Sequence, residues 1–172
     1  MTLEILLASL PAYAQDLKVN LSTALCQPGL TVPQLWGTAV ASAAASRNRV
    51  LLEAIKAEAA RLLEPAMIEA ALGASAIMSM NNIYFRFLHL AQHEQYSTAR
   101  SGLRMNFTRA HGAPVVDFEL WCVAVSAIHG CGKCIEAHDQ KAREKGATEE
   151  AVLAVVRIAS VVHAVAGVLE TQ

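Results

Sequence analysis

Two cysteines separated by two residues, Cys131-Gly132-Lys133-Cys134, are followed by His138 in the pattern C-x-x-C-x-x-x-H. A helix that begins at Cys131, directly after Gly130, sets both sulfurs on one face and His138 one turn beyond Cys134 on that face. Unpaired amides and the helix dipole at such an N-terminus stabilise a thiolate, lowering a thiol from its free pKa of about 8.5. Lys133 adds positive charge that acts in the same direction. His138 can accept a proton from Cys134 or hold an ion pair with its thiolate. Two adjacent thiols also allow a sulfenic acid on one to be resolved by the other as a disulfide. This is the chemistry of a redox module. The alternatives are a zinc site drawn from Cys131, Cys134, His138 and His129, and inert packing. The first lacks the additional thiolates of structural zinc sites, and Gly130, Gly132 and Lys133 do not read as interior residues.

Glu119 is the carboxylate whose position matters most. With Gly130 as the turn of a helical hairpin, Glu119 lies eleven residues before it and His138 eight after, so the two side chains can meet across an antiparallel pair. There a carboxylate orients the imidazole and completes a Cys–His–Glu relay. Its other reading is a first-turn acid that favours the helix dipole, and spacing alone leaves both open. Cys26 and Cys122 are isolated and read as buried packing. His163, in an apolar helix, reads as a core or interface residue. His89 and His93 share a helical face at i, i+4 but lack the acid of an H-E-x-x-H site, and read as surface or interface packing. His111 supports no inference.

The elements that carry these residues read as helices almost throughout. Hydrophobic residues make up 54% of the 172 positions and charged ones 17%, which excludes a disordered chain. Alanine occupies 32 positions against 9 glycines and 5 prolines, a balance that favours packed helices over a twisted sheet. Leu3, Leu6, Leu7, Leu10, Tyr13, Leu17 and Leu21 predict one helix ending before Gln27-Pro28-Gly29. Thr31 and Gln34 form a capping-box pair, with Pro33 in the first turn, for a helix to about Ser46. Further helices are expected over 51–63, 65–88, 117–128 and 131–145, and a last one capped by Thr148 after a stop at Gly146. Residues 94–114 form one long irregular connection. The expected fold is all-α, in one domain over 1–172.

An internal repeat divides that domain into two related helical halves, about 32–89 and 117–170. Gln34-Leu35-Trp36-Gly37-Thr38-Ala39-Val40 matches Glu119-Leu120-Trp121-Cys122-Val123-Ala124-Val125, and Glu69-Ala70-Ala71-Leu72 resembles Glu150-Ala151-Val152-Leu153. In this register Ser46-Arg47-Asn48-Arg49 stands opposite the cysteine motif, so the chemistry sits in one half only.

A net charge of −1 and 5% aromatic residues give nucleic acid neither an electrostatic footprint nor a stacking platform. Mean hydropathy is +0.34, yet the apolar run 39–45 is too short for a bilayer of about 30 Å, and 151–167 is interrupted by Arg157 and His163. No membrane span is expected, and the surplus apolar surface points to an oligomer. Residues 5–10 before Ala12-Tyr13-Ala14 have the outline of a secretory leader but lack a basic start and carry Glu4. The expected location is the cytoplasm, where thiols stay reduced.

Several stretches together resemble the alkylhydroperoxidase D (AhpD) family of the carboxymuconolactone decarboxylase-like superfamily. They are Gln34-Leu35-Trp36-Gly37-Thr38, Ile77-Met78-Ser79-Met80-Asn81-Asn82, Gly102-Leu103-Arg104-Met105-Asn106, and Phe118-Glu119-Leu120-Trp121 with Gly130-Cys131-Gly132-Lys133-Cys134 and Ala137-His138. The resemblance spans essentially the whole chain. It implies an all-helical homotrimer that reduces organic hydroperoxides, with no bound cofactor or metal. By the same resemblance Cys134 attacks the peroxide, Cys131 supplies a proton and closes the disulfide, and His138 and Glu119 form the proton relay. The implied electron donor is dihydrolipoamide on a lipoylated 2-oxo-acid dehydrogenase component, and the implied protein partner is the peroxiredoxin AhpC. The chain departs from the best-known member at Lys133, which replaces a histidine; lysine stabilises a thiolate but is a poor proton shuttle at neutral pH. Decarboxylases of the superfamily share the helical scaffold without relying on the cysteine pair. A non-redox decarboxylase-like enzyme or metal-binding module is therefore the alternative function.

Overall fold

Pro11 breaks the first predicted helix. The computed structural model describes residues 2–172, and every side chain in that range except that of Ser97. In it α1 (Leu3–Ala8) is separated from α2 (Gln15–Ala24) by a 3-10 turn at Ala12–Ala14. Proline has no N–H to give to a continuing helix and pushes the preceding residue, Leu10, out of the α region. Leu3, Leu6, Leu7 and Leu21 are buried all the same, so the apolar periodicity marked the inward face correctly but ran straight through the break.

The remaining helices follow their caps. In α3 (Val32–Ser46) the Thr31–Gln34 capping box forms with both hydrogen bonds present. Asn48 caps α4 (Arg49–Ala59), and proline opens α5 (Pro65–Ala91). Inside the irregular connection the chain makes a five-residue α6 (Glu94–Thr98) and a 3-10 turn at Asn106–Arg109. Phe107 anchors that turn by laying its ring where a Cβ at position 73 would otherwise stand, on Gly73 of α5. Pro114, three residues ahead of the expected start, opens α7 (Val115–His129), which α8 (Gly132–Glu144) and the Thr148-capped α9 (Glu149–Leu169) follow. Among the described residues no strand forms, and the fold is all-α.

Helices α3, α5 and α7 pack on one another, with α9 against α3 and α7; α4 lies on α3, α1 on α4, α2 on α9, and α8 across α7 and α5. Small residues let α3 and α7 approach closely. A Cβ at Gly37 would overlap the indole ring of the fully buried Trp121. Helix α9 is long and apolar enough to cross a bilayer, with a mean hydropathy of 2.2, but its buried face packs on α2, α3 and α7.

The corners of α3 and α7 correct the register of the sequence repeat. Both helices have fifteen residues, and both end on a left-handed residue, Arg47 (φ 64°) or Gly130 (φ 66°), followed by the N-cap of the next helix, Asn48 or Cys131. Cys131 thus occupies the place of Asn48, two residues from the match expected from Trp36 and Trp121. The caps decide this register because they fix where each chain turns, whereas the matched apolar residues fix only composition.

Candidate active site

The cysteine pair is placed by a helix corner that needs glycine. Gly130 adopts φ 66°, a conformation that residues with a Cβ disfavour. Its N–H donates to the Ala127 carbonyl at 3.2 Å, and that of Cys131 to the Ser126 carbonyl at 3.1 Å, which closes α7 in a Schellman turn. Cys131 then serves as the N-cap of α8, its Sγ accepting from the Cys134 N–H at 3.4 Å. One residue both ends α7 and starts α8. Cys131 and Cys134 are buried and joined as a disulfide, with Cα atoms 5.3 Å apart.

Because α7 and α8 run back antiparallel from Gly130, Glu119 meets α8 at His138. Glu119 Oε2 lies 2.6 Å from His138 Nδ1, and Oε1 lies 2.5 Å from Lys141 Nζ. The Glu119 side chain is 2% exposed, against 20% for His138 and 48% for Lys141. Burial pushes the Glu119 carboxyl up, but the hydrogen bonds and positive charge of His138 and Lys141 outweigh it and hold the group below its ordinary range. It is a carboxylate with both oxygens occupied, and its bond fixes which imidazole nitrogen faces away. Sequence reasoning missed Lys141. Its i, i+3 spacing from His138 on one helix face was the available signal.

Helix α5 covers the pair. A cleft of about 200 Å³ is lined by Met78, Asn81 and Phe85 from α5 and by Lys133, Cys134 and His138 from α8. The Asn81 carbonyl oxygen stands 4.0 Å from Cys134 Sγ, while the side-chain Oδ1 of the same residue is buried without a hydrogen-bond partner. Lys133, expected to charge the thiols, instead places its ammonium 3.1 Å from Glu136 with both side chains exposed. Its charge is met on the surface, and the lysine that reaches the relay is Lys141.

The other candidates lie elsewhere. His129 accepts from Asn82 Nδ2 at 3.1 Å through Nδ1, and Ser126 donates to Asn82 Oδ1 at 3.1 Å. Burial and the neighbouring Arg47 lower the pKa of His129. It belongs to the α5–α7 contact, away from the relay. Among the described residues no three His, Cys, Asp or Glu side chains form a metal-binding group. Cys122 is fully buried, and burial raises its thiol well above the ordinary range. Cys26, expected to be buried, is exposed at the end of α2. His163, expected in the core or at an interface, is outside the core of this chain, exposed on α9 with Nδ1 3.2 Å from Ser46 Oγ. Cys26 lies two residues beyond the end of α2 and His163 on the outer side of α9, positions that a run of apolar neighbours does not reveal. His89 is exposed, and His93 packs on Tyr96 with ring centroids 4.7 Å apart. His111 stacks on Phe118 at 3.8 Å.

A family model described as the carboxymuconolactone decarboxylase family matches residues 95–171, the part that contains α7, α8 and α9. The chain is 54% identical over its whole length to alkyl hydroperoxide reductase AhpD of Koribacter versatilis, covering 89% of that protein. It is 51% identical to the protein of the same name from Acidobacterium capsulatum, covering 94% of it, and 49% identical to that from Solibacter usitatus, covering 97%. Each alignment spans all of the present chain.

Proposed function

The chain belongs to the alkyl hydroperoxide reductase AhpD family, and from that premise we propose that it reduces organic hydroperoxides with the Cys131–Cys134 pair. The observation that carries the reading is the convergence of a disulfide, a Glu119-oriented His138 and an apolar-walled cleft at one helix corner. Starting from the dithiol, His138 takes the Cys134 proton. The thiolate attacks the hydroxyl oxygen of ROOH; an S–O bond forms as the O–O bond breaks, and the alkoxide leaves as alcohol with the Cys131 proton. Cys131 sulfur then attacks the Cys134 sulfenic acid, forming the disulfide, and hydroxide leaves as water with the proton from His138. Glu119 holds the imidazole and stabilises its charged form.

Two electrons must restore the dithiol. The donor in this reading is dihydrolipoamide carried on a lipoylated 2-oxo-acid dehydrogenase component, which leaves as lipoamide after thiol–disulfide exchange. The same dithiol would reduce the disulfide of the peroxiredoxin AhpC. A cytoplasmic location suits a pair that cycles through the thiol state. A homotrimer is supported by surplus apolar surface: Ile83, Phe87 and Leu90 form an exposed stripe at i, i+4, i+7 on α5.

The test is consumption of tert-butyl hydroperoxide by the reduced protein with dihydrolipoamide as donor, beside Cys134→Ser. Turnover in the wild type and none in the variant is expected. Equal rates in the two proteins would remove Cys134 from the mechanism. Unreactive thiols together with stoichiometric zinc would favour the non-redox reading.

A further inference from the structure

Among the described residues three buried side-chain atoms have no hydrogen-bond partner: Ser42 Oγ, Trp121 Nε1 and Asn81 Oδ1. The first two belong to α3 and α7 inside the helix core, and of the three only Asn81 lines the cleft of Cys134 and His138. Asn81 is 5% exposed. It is the polar middle member of a stripe on α5, with Met78 three residues before it and Phe85 four after, all three facing the cleft. Its main-chain oxygen stands 4.0 Å from the sulfur of Cys134. Buried carboxamides normally have their polar atoms paired, so an unpaired one in an apolar wall beside a nucleophile has the character of a ligand-binding group.

We infer that the side-chain amide of Asn81 binds the hydroperoxide group of the substrate, an inference that rests on the peroxidase reading above. A carboxamide matches a hydroperoxide atom for atom. Oδ1 accepts the O–H of ROOH, and an Nδ2–H donates to the alkoxy oxygen. That pairing presents the hydroxyl oxygen to Cys134 and supports the negative charge that develops on the leaving alkoxide as the O–O bond breaks. Met78 and Phe85 take the organic substituent. Asn81 thus contributes substrate binding and leaving-group stabilisation, while proton transfer remains with His138 and Cys131.

The experiment compares two reactions of the same thiol, in a Cys26→Ser background that removes the exposed free cysteine. The reduced wild type, Asn81→Leu and Asn81→Ala are each treated with tert-butyl hydroperoxide and, separately, with iodoacetamide, which needs the thiolate but no hydroperoxide site. The leucine removes both polar functions at similar volume, and the alanine removes them by truncation; neither adds a charge beside the thiol. Both variants are expected to lower the second-order rate with hydroperoxide at least tenfold and to leave alkylation within about twofold of wild type. If the leucine variant folds poorly, the alanine variant decides. Wild-type hydroperoxide rates in the variants would overturn the inference alone. An equal fall in both reactions would also overturn it, because Asn81 would then act on the thiol or on the fold. A wild type that alkylates readily but ignores hydroperoxide would overturn the peroxidase reading as well.

Discussion

Glu119→Gln separates the charge of the relay from its shape. The glutamine fills the same 2%-exposed site but offers one acceptor oxygen where two donors, His138 Nδ1 at 2.6 Å and Lys141 Nζ at 2.5 Å, now each have their own. Lys141 is 48% exposed and can turn to water, whereas His138 is 20% exposed and keeps the remaining oxygen. The loss is then one charge-assisted hydrogen bond, worth about 1.5–3 kcal/mol, less the hydration that the lysine regains. We expect destabilisation of about 1–2 kcal/mol at pH 7. Removing a buried charge works in the opposite direction, but the carboxyl is held below its ordinary 4.5, so its partners outweigh its burial and the net sign is destabilising. A carboxylate whose pKa is depressed on folding contributes stability that is fully present above its unfolded value and is lost as pH falls through the folded one. The difference between wild type and variant should therefore be largest at pH 7 and shrink toward about pH 3. Urea unfolding at both pH values measures it. A difference independent of pH, or none at pH 7, would refute the charge argument. Glu119 acts through His138 as a positioning residue, so hydroperoxide turnover should fall by about tenfold to a hundredfold.

Cys131→Ser should still form a sulfenic acid on Cys134, trapped by dimedone after one equivalent of hydroperoxide, but should not turn over with dihydrolipoamide; continued turnover would show that Cys131 is not the resolving thiol. Gly37→Ala forces a methyl group into the Trp121 ring and should destabilise the fold by about 1–3 kcal/mol. By contrast Gly167→Ala, with open space around its Cβ position on α9, should be neutral or stabilising by up to about 1 kcal/mol; denaturant titration of the two variants side by side checks both. Burial raises the Asp117 carboxyl despite the Gln34 amide that donates to it at 2.9 Å. Ionising it therefore opposes folding as pH rises above its ordinary 3.8, and Asp117→Asn should raise Tm at pH 7 and leave it unchanged near pH 3.

What could be read in the residues divides along physical lines. Local signals were legible: the Thr31–Gln34 box, the Thr148 cap and the Gly130 corner each act over a few residues, and all three form. Counting along a hairpin left the approach of Glu119 to His138 as one of two open readings, and the antiparallel packing of α7 and α8 decides it at 2.6 Å. The break at Pro11 was hidden by an apolar spacing that continues on both sides of it. Lys141 lies three residues beyond the last member of the C-x-x-C-x-x-x-H pattern, and apart from that spacing a surface-facing lysine on a charged helix carries no signal of its own. The α5 roof of Met78, Asn81 and Phe85 lies about fifty residues upstream in the chain, and only tertiary packing brings it to the sulfurs. Nothing in the composition around Cys26 or His163 distinguished these exposed residues from buried neighbours.

The hairpin of α7 and α8 is fastened at two heights. At the corner the fastening is a covalent bond that, in the proposed cycle, opens with each turnover. Near the middle of α8 it is Glu119, gripped by His138 and Lys141 and shielded from solvent. When the upper fastening is released, the lower one and the packing beneath it still hold the helices together. The catalytic side chains therefore need not be reassembled before the next hydroperoxide arrives. The reduced protein should show the same slow amide exchange along the middle of α7 as the oxidised one, with faster exchange confined to the few residues around Gly130.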